Sequence, residues 1–153
     1  LTGGGQERGL RSGTESVPLI AAFDGAVASL LDINKSLEEI KVLNDYAIKS
    51  FKESGFIKIN SPDNALPYII NVSVVGYRSE TLLHFLERKN IFVSSGSACA
   101  KGEQSYVLKG LGLRQAETDS ALRISLSHHN TKEDIDALVS TLKEATQRLR
   151  RSN

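Results

Sequence analysis

At 153 residues, 40% apolar and 24% charged, the chain has the composition of a globular protein long enough to bury a core, not of a disordered segment. Its 19 basic and 18 acidic residues leave a net charge of +1, which indicates neither a nucleic-acid partner nor an anionic membrane surface. The one basic block, Arg148, Arg150 and Arg151, reads as the cationic last turn of a helix. No stretch approaches the ~20 apolar residues of a membrane span, and no charged leader before an apolar run marks a secretory signal. A cytoplasmic, reducing setting is therefore expected. The chain starts at Leu1 and not at a methionine, so a piece of a longer protein is expected.

In chain order, residues 1–14 form a glycine-rich loop with no apolar period. From Ser16, the residues Leu19, Phe23, Val27, Leu30 and Leu31 recur at helical spacing, with Pro18 acceptable in a first turn. The helical pattern resumes through Ile40, Leu43, Ala47 and Phe51 after a break expected near Asp32 to Asn34, and Gly55 should end it. Phe56 to Asn60 reads as a short strand closed by the turn chemistry of Ser61, Pro62, Asp63 and Asn64. Tyr68 to Val75 alternates, which predicts a strand with Ile70, Val72 and Val74 inward and a wet face carrying Asn71 and Ser73. A helix from Ser79 towards Asn90 follows, then a strand at Ile91 to Val93. Ser105 to Leu111 suits a short helix ended by Gly110 and Gly112, and Leu122 to Leu126 alternates as a strand with Arg123 and Ser125 on its polar face. Thr131 with Asp134 three residues on resembles a capping box, opening a helix whose stripe is Ile135, Leu138, Val139, Leu142, Ala145 and Leu149. Interleaved strands and helices predict an α/β or α+β fold, a small sheet packed against helices.

Cys99 is the single cysteine and lies in the small-residue run Ser94-Ser95-Gly96-Ser97-Ala98-Cys99. It has no internal disulfide partner, so packing, metal binding and reactivity are the alternatives. Gly96 and Gly102 leave the segment open, and Lys101 favours the thiolate, the nucleophilic form. His84, His128 or His129 would serve as general base in a Cys/His thiol enzyme, although adjacent histidines point in different directions. One cysteine and three histidines without paired spacing match no zinc signature. Asn71 either lines a site from the polar face of its strand or caps the strand.

Three stretches together resemble one family. Gly3-Gly4-Gly5-Gln6-Glu7-Arg8-Gly9-Leu10-Arg11-Ser12-Gly13-Thr14, the Ser94 to Cys99 run, and Leu122-Arg123-Ile124-Ser125-Leu126 with Asn130-Thr131 are similar to the C-terminal part of cysteine desulfurases. These are pyridoxal-phosphate enzymes of the class V aminotransferase family, here the group with a long cysteine loop. The likeness runs over essentially the whole chain, with a slightly shorter segment between Cys99 and Ser105 than in some relatives. It implies the small C-terminal domain of the aspartate-aminotransferase-like fold, divided as residues 1–15, a tail of an absent large cofactor-binding domain; 16–50, a connecting helix; and 51–153, the small domain.

The same resemblance implies that Cys99 takes the sulfur of L-cysteine as a persulfide, releasing alanine, and that Arg123 holds the substrate carboxylate. Thr14 would reach the pyridoxal phosphate of a neighbouring subunit, which implies a homodimer. The sulfur would pass to an acceptor or scaffold protein for iron–sulfur assembly or transfer-RNA thiolation. No lysine here follows a Ser-His pair, so the cofactor-bearing lysine of the family has no counterpart, and the chain alone is expected to be inactive. A stand-alone module that docks on sulfur acceptors is the alternative to an enzyme fragment.

Overall fold

A computed structural model describes residues 2–30, 32–95 and 106–151. The chain divides into two units, Leu1–Lys35 and Ser36–Asn153.

In the first unit the glycine-rich loop folds on itself through a 3-10 turn at Gln6–Gly9. The Gly13 amide donates to Gln6 Oε1 at 3.3 Å, and an Arg11 guanidinium nitrogen donates to the Gly13 carbonyl at 2.8 Å. Helix α1, Val17–Ala28, follows with Pro18 in its first turn, where a missing N–H costs nothing. None of its residues is buried.

The helical break falls where the sequence puts it. Helix α2 spans Ile33–Ser54, and Asp32 Oδ1 accepts the backbone N–H groups of Asn34 and Lys35 at 2.9 and 3.2 Å. That is an aspartate N-cap satisfying otherwise unpaired donors. Gly55, with φ of +74°, takes the left-handed conformation that ends a helix and that glycine adopts without strain.

The remaining elements are strand β1 (Lys58–Ile59), β2 (Ile69–Ser73), helix α3 (Ser79–Glu87), β3 (Ser94–Ser95), α4 (Tyr106–Gly110), α5 (Gln115–Asp119), β4 (Ala121–Ser125) and α6 (Lys132–Arg148). The strands form one antiparallel sheet in the order β1-β2-β4-β3. One face carries Ile70, Val72, Val74, Leu122, Ile124 and Leu126, and these share a single core with residues of α2, α3 and α6. On α2 the buried residues are Ile40, Leu43, Ala47 and Phe51, spaced three or four apart as one helical stripe requires. The Asp134 carboxylate accepts the Thr131 backbone N–H at 3.0 Å, the acidic arm of the expected capping box. The α+β expectation holds.

Two local expectations are corrected. Ile91 to Val93 is not a strand; the pairing with β4 is made by Ser94 and Ser95. Ile91 and Val93 pack beside the core while Phe92 is 77% exposed, so that apolar run serves packing without a ladder partner. Ser73, expected on a wet face, is fully buried because its hydroxyl donates to the Glu117 carbonyl at 2.6 Å. Helix α5, which covers that end of the face, has no apolar period, and its N-cap is Arg114 in place of the usual short polar residue.

Candidate functional site

The sheet face opposite the core is polar. Strand pleating puts Arg123 of β4, Asn71 of β2 and Ser94 of β3 in one row across it, since they are register partners. Val74 N–H donates to Ser120 O, and Leu126 N–H donates to Tyr68 O. The hydrogen-bonded pairs of the β2–β4 ladder therefore fall on even residues of β2, and Asn71 with Arg123 is a non-hydrogen-bonded pair. Side chains approach most closely at such pairs, with Cα atoms ~4.5 Å apart. Arg123 is exposed, and among the described residues its guanidinium makes no ion pair or hydrogen bond.

A polar network runs from this row to α5. Asn60 Nδ2 donates to Asn71 Oδ1 at 2.8 Å and to Ser73 Oγ at 2.7 Å, and Ser73 donates on to the Glu117 carbonyl. Glu117, with 2% of its side chain exposed, meets Lys58 Nζ at 2.6 Å and Arg114 Nη2 at 2.6 Å. Its carboxylate also accepts Arg114 Nε and the Arg114 backbone N–H, each at 2.9 Å. The hydrogen bond from Lys58, then those from Arg114, lower its pKa from 4.5 to about 2. The same contacts raise the Arg114 pKa.

Because the folded-state pKa lies below the ordinary one, the carboxylate's contribution to stability is present above about pH 4.5 and is lost as the pH falls towards about 2. Thermal unfolding followed across that window should show a steep acid limb, and Glu117→Gln should flatten it while lowering stability at neutral pH. An acid limb unchanged in the variant would assign the acid sensitivity elsewhere.

Of the residues singled out in the sequence, Thr14 lies in the first unit with its side chain exposed, and Arg123 lies in the second. Cys99 falls outside the described residues. His84 is exposed on α3 with Nδ1 3.1 Å from Glu87 Oε2. His128 and His129 are exposed in the turn after β4 with ring centroids 3.8 Å apart. Among the described residues no group of three His, Cys, Asp or Glu is placed to hold a metal. No described helix is long and apolar enough to cross a membrane. Sequence reasoning missed Asn60, Lys58, Arg114 and Glu117. The Arg114-x-x-Glu117 spacing was the one available signal, and it lacks the Ser or Thr that marks a capping box.

The four-stranded sheet, its helical layer and its polar outer face define part of an aspartate-aminotransferase-like fold, as in solved structures of NifS-like proteins. One of these, from Rickettsia africae, superposes with a TM-score of 0.77 at 35% identity, covering 96% of this chain and 39% of that one. The aminotransferase class-V pattern matches residues 2–138, and the chain belongs to that family. The mitochondrial cysteine desulfurase of Saccharomyces cerevisiae is 39% identical over 155 residues, 98% of this chain and 31% of the relative. The cysteine desulfurase IscS of Buchnera aphidicola is 39% identical over 154 residues, 98% of this chain and 38% of the relative. The chain thus spans well under half the length of these relatives.

Proposed function

We propose that the chain is the small-domain part of a cysteine desulfurase, acting with a larger cofactor-binding part that it does not contain. The observation that carries this reading is Arg123, an exposed guanidinium on the polar sheet face with no partner among the described residues, inside a chain 39% identical to cysteine desulfurases. A planar guanidinium takes both oxygens of a carboxylate, so Arg123 binds and orients L-cysteine through its carboxylate. Cys99, as thiolate, attacks the substrate sulfur. The new S–S bond forms as the substrate Cβ–S bond breaks, its electron pair passes to the substrate carbon, and protonation there gives alanine. Pyridoxal phosphate, when bound, supplies the electron sink for that carbon.

The residues present fit one edge of that cofactor. Thr14 offers an exposed hydroxyl in a loop that also exposes Arg8, suited to a phosphate oxygen. A phosphate contributed by a neighbouring subunit makes the working form a homodimer. Residues 1–15, 16–50 and 51–153 act as the tail of the large part, the connecting helix and the small domain. The persulfide on Cys99 passes to an acceptor or scaffold protein for iron–sulfur clusters or thiolated transfer RNA.

The test joins this chain to the preceding part of the Buchnera relative and supplies L-cysteine with pyridoxal phosphate. Alanine release and labelled sulfur on Cys99 are expected. A folded, cofactor-loaded protein that releases no alanine would overturn the reading. The 153-residue chain alone, lacking the cofactor lysine, should release no alanine with or without pyridoxal phosphate, and steady turnover by it would contradict the division of labour proposed here.

A further inference from the structure

Asn71 stands beside Arg123 with its amide orientation fixed by the network around it. The Ser73 hydroxyl has one proton, and it goes to the Glu117 carbonyl, which can only accept. Ser73 Oγ must therefore accept from Asn60, so the Asn60 atom 2.7 Å away is Nδ2. That same Nδ2 lies 2.8 Å from the Asn71 side chain and needs an acceptor there, which makes the facing atom Oδ1. Asn71 Nδ2, with two N–H donors, is left with no partner among the described residues. Asn60 Oδ1 is likewise left buried and unpaired, a cost the network accepts in holding this arrangement.

The amide donors and the guanidinium thus occupy the same face at a closely spaced cross-strand pair. Glu117, the one acid tied into this network, is already neutralised by Lys58 and Arg114. We propose that Asn71 is a second carboxylate-binding residue, its Nδ2 donating to the substrate carboxylate alongside Arg123. This rests on the reading of Arg123 as the carboxylate anchor. A neutral amide adds donors without a further charge, so it sharpens orientation: one oxygen is shared between amide and guanidinium, which restrains rotation of the carboxylate in the plane of the guanidinium.

The test uses the 153-residue chain, nitrogen-15 labelled, titrated with sodium propionate as a bare monocarboxylate. Arg123 Nε–H and the Asn71 side-chain amide should shift along one saturation curve. Asn71→Ala should weaken propionate binding by roughly three- to tenfold. Asn71→Asp keeps an acceptor for Asn60, and so the fold, while replacing the donor by a negative charge, and should weaken binding more than the alanine variant. A silent Asn71 amide, or propionate affinity unchanged in a folded Asn71 variant, overturns this proposal while leaving Arg123 as the anchor. Affinity unchanged in Arg123→Ala overturns the carboxylate reading on which it rests.

Discussion

Cys99→Ala in the joined enzyme is expected to reduce persulfide formation and alanine release to background. The methyl group has no lone pair with which to attack sulfur, and no second cysteine exists in the chain to replace it. Cofactor loading and the absorbance change on adding cysteine should persist, because the thiolate acts after the substrate is bound. Mass spectrometry of the protein after exposure to labelled cysteine, beside a cofactor spectrum, separates the two steps. Loss of the substrate-induced absorbance change would give Cys99 a binding role, and persistent alanine release would remove it from catalysis.

The second large effect is on the fold. Phe51 is fully buried on α2 against the sheet, where truncation to alanine removes the ring and leaves a cavity that its neighbours fill only in part. Such a change costs ~3–5 kcal/mol, a large share of the ~5–15 kcal/mol that stabilises a typical domain. Phe51→Ala should lower Tm by on the order of 10 °C or more and move the denaturation midpoint with little change in slope. Phe92→Ala, at a ring 77% exposed, should change stability by no more than about 0.5 kcal/mol. Equal effects at the two positions would contradict the placement of the core.

The elements read most clearly from sequence are those with a long apolar period. Helix α6, with its Thr131–Asp134 start, and α2, ending at Gly55, were legible because one stripe of aliphatic residues has to face one core. Strands β2 and β4 were legible from alternation, and so was the polar face that carries Arg123. Legibility failed where a tertiary partner decides the outcome. Ser73 is indistinguishable in sequence from an exposed serine until α5 lays the Glu117 carbonyl over it. Glu117 itself is surrounded by Arg114, Gln115, Thr118 and Asp119, a setting that suggests solvent. Its burial depends on Lys58, 59 residues away in sequence, and no local pattern carries that pairing. The donor role argued for Asn71 needed the register of β2 against β4, which alternation alone does not give.

Helix α1 has a bearing on how the chain behaves as a substance. Val17, Leu19 and Phe23 are 68%, 71% and 72% exposed, in a polypeptide whose net charge is +1. Copies of such a molecule have little mutual repulsion to keep them apart and a greasy rod with which to meet. Its colloidal behaviour is thus set by α1 more than by the well-packed sheet and its helices, and salting-out ions such as sulfate, which strengthen apolar association, would drive the copies together. Production alongside a polypeptide that shields this helix is the natural route to material that stays dispersed.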